Sequence, residues 1–422
     1  MTTEQPTIPM RAAPAVRRKQ IALVTSGYFA GGGVRSVCDF LLAAIERDGR
    51  FVVHVIDLAT SLADANSVRI LAPGSWFRGV CITRSVDGDR TVISVGAVGA
   101  ELEFQRYRPR TVLDRLLQKY DLVQFVCGIP SWAATAAHVK RPVLLQVATL
   151  AEKERRNTWN QNGPVRRLYD AMMFPIVSRC ESAGLRHADV VFAENHWMME
   201  HATRVRGGGR GVIFSPPGVD TDFFYPGVAS EPLTVLGVGR LGDARKNWGL
   251  LIRAFLGLQP DLLGRCRLRL VGLGKISSAL SAEIAASPHR AQVEILSDVP
   301  RNRLAELYRE ATVFALSSDE EGLGVVILEA MASGLPVVAT RCGGPEVLVG
   351  PGVNGELVPV GDTPGFCARL VELLGDRERC SRMGHQGRTK ALADYSIAAA
   401  GARFLSEYER LGGIETYAGN KK

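Results

Sequence analysis

The chain has 422 residues, of which 46% are hydrophobic and 22% charged, with a formal net charge of +8. This composition excludes a disordered or fibrous protein, and the length suits two domains of about 200 residues each rather than one. The positive charge permits nucleic-acid binding, yet there is no basic recognition helix, zinc-finger spacing or aromatic-basic platform, so nucleic acid is not expected as a partner.

Residues 1–20 carry Pro6, Pro9 and Pro14, then Arg17, Arg18 and Lys19, and lack the apolar core of a signal peptide. They read as a flexible basic tail. IALVTS (21–26) predicts a buried strand, broken by glycine too soon to span a membrane; GYFAGGG predicts a loop, and residues 34–49 a helix. FVVHVIDLA (51–59) closes a βαβ unit, and a hairpin is expected around Asp87-Gly88-Asp89. A helix over 111–120 and strands at 121–128, 141–148 and 188–195 follow. FSPPGVDTDFFYP (214–226) has no periodic pattern and marks the domain boundary.

The second half repeats the rhythm, with strands at 233–240, 266–274, QVEILSDV, TVFALSS and PVVAT, and helices at NWGLLIRAFLGL, 304–310 and 325–333. Near-continuous apolar strands alternating with helices predict parallel sheets covered on both faces. The expected fold is α/β, with two doubly wound, Rossmann-like domains facing a central cleft. Their limits are 21–218 and 232–390, joined by a linker at 219–231 and followed by a helical segment at 391–422. Ligands of such sheets bind outside the carboxyl ends of the strands.

Eight cysteines stand singly without a CxxC pair, the pattern of thiols in a reducing cytoplasm, and the seven histidines are dispersed. His196 and His201, five apart, are poorly spaced as ligands on one helical turn, and no metal is expected. Asp87-Gly88-Asp89 and Asp220-Thr221-Asp222 both satisfy a DxD pattern, which turn chemistry explains. Arg106, Arg108, Arg110, Arg166, Arg167 and Arg179 are candidates for a basic face toward an anionic small molecule or membrane surface, or are simply solvated.

Three stretches carry chemistry. Gly31, Gly32 and Gly33 lie between a strand and a helix, where glycine lets backbone approach a ligand or merely makes a tight turn. The spacing is not GxGxxG, and Asp57 alone is a weak ribose acid, so a dinucleotide oxidoreductase is not favoured. In VGRLGDARKNWGLL, Arg240 ends a strand and Lys246 introduces a helix; two cations there either neutralise a diphosphate or stay in water, as Arg245 is free to do. SDEEGLGVVILEAMASGLPVVATRCGGPE (318–346) places Glu321 in a glycine-containing loop and Glu329 inside an apolar helix. A charged acid buried there needs a polar partner, which two ribose hydroxyls can supply. Gly343 and Gly344 offer a further place for backbone amides to receive a phosphate.

EGLGVVILEAMASGLPVVATRCGGPEVL, with GRLGDARKN and GVNGELVP (352–359) and more loosely GGGVRSV, resembles the retaining, nucleotide-sugar-dependent glycosyltransferases of family 4, two-domain enzymes of the GT-B type. The architecture matches over roughly 20–410, while the sharp motifs belong to the second half. The resemblance implies a metal-independent, hexosyltransferase-like enzyme without a cofactor, whose donor is a nucleotide sugar, UDP being the commonest carrier. Arg240 and Lys246 would hold the diphosphate and stabilise the leaving nucleotide, Glu329 would bind the ribose, and Glu321 would meet the donor sugar and reacting face. Gly322, Leu323 and Gly324 would bring amides to the sugar or its phosphate, Gly343 and Gly344 would receive phosphate, and Gly32 and Gly33 would line the N-terminal side. The last helices would brace the first domain.

The acceptor would be a hydroxyl or amine of a saccharide, natural product or lipid-linked molecule, which residues 159–180 are candidates to cover. Peripheral contact with the inner membrane face stays open for a cytoplasmic protein. Two departures stand out: no histidine follows the strand at PVLLQVATLAEKERR (142–156), where Ala148 or Thr149 takes its place with Gln146, Glu152 or Glu154 nearby, and Arg35 replaces an acid. A sugar-nucleotide epimerase and a non-catalytic nucleotide-sugar-binding protein are the competing readings.

Overall fold

The computed structural model describes residues 18–61, 63–156, 163–227 and 231–413. Most of the expected basic tail, residues 159–162 of the candidate acceptor segment, residues 228–230 of the expected linker and the end of the C-terminal segment lie outside the described residues.

One sheet contains β1 (Lys19–Ser26), β2 (Phe51–Leu58), β3 (Ile82–Asp87), β4 (Arg90–Val95), β5 (Leu122–Val126), β6 (Val143–Val147), β7 (Val190–Ala193) and β8 (Val212–Phe214). Its order is β3-β4-β2-β1-β5-β6-β7-β8, parallel except for the β3–β4 hairpin. The second sheet contains β9 (Leu233–Val238), β10 (Cys266–Gly272), β11 (Val293–Ser297), β12 (Val313–Leu316), β13 (Val337–Thr340) and β14 (Gly355–Val358), in the order β11-β10-β9-β12-β13-β14. Every residue of β5, β6, β9 and β12 is buried, which is why these strands read as unbroken apolar runs rather than alternating ones. Strand order reverses beside β1 in the first sheet and beside β9 in the second. The crevice at each reversal opens where β1, β9 and β12 end, and the predicted site residues follow those strands.

The Arg377–Asp394 helix puts Ala391 into the core around β9 and β12. The chain then crosses back. Ser396 bridges to Val219, and the Ile397–Gly412 helix lies on the first sheet's domain. There Phe404 stacks near Phe40 and Phe192, with ring centroids 5.8 and 4.4 Å away, and Tyr408 donates to Gln124 Oε1 at 3.0 Å.

The DxD pairs serve turns and ion pairs. Asp87 closes the β3–β4 hairpin and holds Arg35 at 2.7 Å, while Asp220 Oδ1 accepts from the amides of Asp222 and Phe223. Among the described residues, no group of three or more His, Cys, Asp or Glu is placed to hold a metal ion, and no helix is long and apolar enough to cross a membrane. Arg110, a candidate for the basic face, is instead buried, and burial pushes its guanidinium down to about 10.

Phe404 has no exposed surface although its helix is the last in the described chain. Phe404→Ala is expected to destabilise the protein by about 3–5 kcal/mol in urea unfolding, because it empties a site packed from two elements of the first domain.

Candidate active site in the interdomain cleft

β9 runs out at Val238, and the loop that follows is organised around Asp243. Its Oδ2 accepts from Arg240 at 2.6 Å and Arg245 at 2.8 Å, and its Oδ1 accepts from the Arg245 amide at 3.1 Å. Burial pushes this carboxyl up, but the Arg245 and Arg240 guanidiniums outweigh it and hold it down to about 2. Asn247 then caps the Trp248–Leu256 helix, its Oδ1 accepting from Leu250 N. This short excursion aims two cations differently: the Arg240 side chain is 51% exposed, whereas Lys246 is 15% exposed and bonded to Glu321 Oε1.

Glu321 is therefore paired within the chain. The oxygen that meets Lys246 also accepts from Ser318 Oγ at 2.7 Å, so the head of the acidic stretch and the end of the basic loop form one cluster. Glu329 likewise has an internal partner. Its Oε2 accepts from Tyr308 Oη at 2.8 Å in the core beneath the Val325–Ala332 helix, and burial pushes its carboxyl up to about 7. Leu323 turns its side chain into the same core, leaving its backbone as the part near the cleft. The amides of Gly343 and Gly344, expected to be open to a phosphate, already donate to Glu346 Oε2 at 3.0 Å and to Glu321 O at 2.9 Å. Glu346 is a side chain at the surface of that turn and can give way; the Gly344 bond is part of the backbone frame.

The opposite wall comes from the first domain. A Cβ on Gly31, at φ +70°, would lie 2.8 Å from Leu273 Cδ1 of the second domain, while Gly32 and Gly33 face open space. Gly322 meets the wall more tightly: a Cβ there would stand 2.6 Å from that of Ala148, just past the end of β6. Glycine at this position is what lets the two domains close to backbone contact. Thr149 Oγ1 donates to Glu320 at 2.8 Å, and Asn195 Nδ2 donates to Ala148 O at 2.7 Å and Gly322 O at 2.5 Å. Arg245 lies between domains, at 3.0 Å from Glu320 and 3.3 Å from Glu154.

These contacts place the departures noted in the sequence. Thr149 and Glu154 reach across the cleft, Gln146 turns inward to Glu194 and Ser215 O, and Glu152 is exposed. Arg35 is taken up by Asp39 and Asp87 and lies 4.1 Å over the Tyr28 ring, so its charge serves its own domain. Asp57 is likewise structural, accepting from Tyr28 N at 3.1 Å. Sequence reasoning missed Asn195, Glu320 and Trp197, whose indole lies beside Gly343. Asn195 carries a visible signal, an Asn between a strand and a helix, but that signal reports only its capping of Met198 N. A separate cavity bounded by Pro226, Arg309, Gly334, Arg377 and Arg388 contains none of the predicted site residues.

With this geometry in view, the fold has clear relatives. A sucrose-phosphate synthase from Thermosynechococcus elongatus superposes with a TM-score of 0.72 at 20% identity, covering 94% of this chain and 100% of that one. Anabaena HepE in complex with UDP-glucose gives 0.66 at 16% identity, covering 93% and 100%. The fold is GT-B, two Rossmann-like domains flanking a cleft, as expected.

Within that fold the chain is related to the glycosyl transferases group 1, whose family model matches residues 219–390. A GDP-mannose-dependent alpha-(1-6)-phosphatidylinositol monomannoside mannosyltransferase of Mycolicibacterium smegmatis is 32% identical over 241 residues, 51% of this chain and 61% of that protein. A D-inositol 3-phosphate glycosyltransferase of Nocardia farcinica is 33% identical over 214 residues, 46% of each. The chain thus spans about half to three-fifths of the length of these curated relatives.

Glu181 and Glu194 are, like Glu329, pushed up to about 7 by burial. Unfolded carboxyls ionise near 4.5, so between that pH and 7 the folded chain keeps protons that the unfolded chain has lost. The stability these groups contribute is complete below 4.5 and is lost as pH rises through 7. The urea midpoint is expected to fall between about pH 4.5 and 7, and Glu329→Gln, which cannot ionise, is expected to flatten that fall.

Proposed function

We propose that the protein is a glycosyltransferase that moves a sugar from a nucleotide diphosphate donor, with UDP as the carrier, to a hydroxyl or amine of an acceptor. The observation that carries this reading is the cluster of Lys246, Ser318 and Glu321 at the carboxyl ends of β9 and β12, with Arg240 exposed in the same loop after β9 and Gly31 of the first domain packed close to Leu273 of the second. Relatives of the same fold were solved with UDP and UDP-glucose, which supports the choice of carrier. In this reading residues 232–390 hold the donor and residues 21–218 shape the acceptor pocket.

The chemistry follows from charge. Breaking the bond between the anomeric carbon and the β-phosphate oxygen leaves an oxocarbenium-like sugar and an anionic nucleotide. Lys246 and Arg240 are fixed cations beside that oxygen, and backbone amides at Gly322, Leu323 and Gly324 add dipoles without reorganisation. The β-phosphate oxygen takes the acceptor proton while the acceptor oxygen bonds to the same face of the anomeric carbon, so configuration is retained. Glu321, released from Lys246 by the incoming diphosphate, is placed toward the sugar. Glu329 turns from the Tyr308 hydroxyl to the ribose hydroxyls. Gly343 completes the donor pocket once Glu346 releases its amide, while Gly344 keeps its amide on Glu321 O and holds the frame. Contacts of Thr149 and Asn195 with the loop at Glu320–Gly322 hold the cleft shut and exclude water, which limits donor hydrolysis.

The reading places the protein in the cytoplasm, consistent with eight cysteines that are all unpaired. The reaction requires no nucleic acid, no cofactor and no metal.

Calorimetric titration of UDP in EDTA is expected to show binding that Glu329→Ala weakens at least about tenfold, or roughly 1.4 kcal/mol. Equal affinity of both proteins for UDP would remove Glu329 from the ribose. With a competent acceptor, Lys246→Ala is expected to lower kcat by about 10²–10³ in a UDP-release assay, the loss that accompanies removal of one preorganised charge.

A further inference from the structure

The first domain carries large apolar side chains that project into solvent at the rim of the cleft. Leu71, Trp76 and Phe77 are 82, 57 and 94% exposed, and Val165, Leu168 and Met172 are 83, 65 and 62% exposed. The topology sets both groups on one edge. β3 runs antiparallel, and Ile82 pairs with Val95 at the carboxyl end of β4, so the segment that precedes β3 stands on the cleft side of the sheet. The Pro164–His187 helix leads back to the start of β7, so its first turns stand on the same side. The two groups are tied together. Glu101 Oε2 and Oε1 accept from the amides of Ile70 and Leu71 at 3.0 and 3.2 Å, and its carbonyl accepts from Tyr169 Oη at 3.4 Å.

Val165, Leu168 and Met172 follow an i, i+3, i+7 spacing and make one stripe, which a helix of a water-soluble domain normally turns inward. Trp76 is amphipathic in its setting, with Nε1 donating to Arg69 O at 2.7 Å and the ring left bare. Charge around these tips is mainly basic: the carboxylates of Glu101 and Asp170 are met by Arg69 at 3.9 Å and Arg166 at 3.0 Å, and Arg78, Arg84 and Arg167 add positive charge. Residues 65–86 contain Arg69, Arg78 and Arg84 and no carboxylate, and residues 163–169 contain Arg166 and Arg167 and no carboxylate. Convex apolar tips set among arginines match an anionic lipid surface, in which apolar side chains enter the acyl boundary and guanidiniums meet phosphates.

We propose that this rim docks on an anionic phospholipid bilayer, so that the cleft opens against the membrane and the acceptor is a saccharide carried on a lipid. The acceptor part rests on the glycosyltransferase reading; the docking does not, and is measured without donor or acceptor. The full chain is floated on a density gradient with phosphatidylcholine vesicles, with and without phosphatidylglycerol. The wild type is expected to float only with the anionic vesicles. The triple variants Leu71→Ser/Trp76→Ser/Phe77→Ser and Val165→Ser/Leu168→Ser/Met172→Ser are each expected to bind at least about tenfold more weakly, with unchanged UDP affinity. Brominated lipid is expected to quench wild-type tryptophan fluorescence and to lose most of that effect in Trp76→Phe, a readout that stands even if a triple variant fails to fold. Wild-type protein left at the bottom of the gradient would overturn the proposal, as would variants that float like wild type. A wild-type dimer that the substitutions convert to monomer, without flotation, would assign the face to a second copy of the chain and equally overturn it.

Discussion

Lys246 and Glu321 hold each other in a partly buried place where neither is fully solvated, at 15 and 13% side-chain exposure. An ion pair taken out of water recovers little net stability, because desolvation offsets most of the attraction. Its value here is placement. In the proposed reading the cation is neutralised until the donor arrives, and exchanging one carboxylate for a diphosphate costs less than stripping water from a free lysine. Much of the surrounding structure serves this position. Asp243 folds the loop that presents Lys246, Ser318 fixes the carboxylate, and the Gly344 amide anchors the carbonyl of Glu321.

The same constraint explains how the two domains meet. Gly322 brings the loop after β12 into backbone contact with the end of β6, and Asn195 ties both sides with one amide group. Arg245 is held between Glu320, Glu154 and Asp243; burial alone would push its guanidinium down, and the carboxylates hold it up. It is a strut, and this leaves Arg240 and Lys246 as the loop's cations for the proposed donor. The chain passes between domains at Val219 and again at Tyr395, where Val219 N donates to Tyr395 O at 2.7 Å. The two crossings therefore lie side by side, bonded to each other.

Much of the fold is legible in the sequence because parallel strands buried on both faces leave apolar runs with glycine at their ends. β8 and β14 are harder to see: VIF merges into the aperiodic stretch before the boundary, and GELV carries a glutamate at a partly buried position. The acidic pair and the basic loop are legible as local patterns. Their partners are not, because Tyr308 lies in another helix 21 residues from Glu329, and Thr149 meets Glu320 over a separation of 171 residues. Nothing local in LAELYRE marks its tyrosine as the hydroxyl that satisfies a buried acid. The amides of Gly343 and Gly344 show the opposite failure, since a glycine pair announces freedom of backbone and says nothing of bonds already made.

The central claim is that the charge of Lys246 passes from Glu321 to a donor diphosphate. Its most direct test compares UDP and uridine affinities for the wild type and Lys246→Met by calorimetry. The account predicts that the substitution removes most of the advantage of UDP over uridine, Arg240 keeping the remainder, while leaving uridine affinity unchanged. An unchanged preference for UDP in Lys246→Met would contradict it, because the diphosphate would then be held elsewhere.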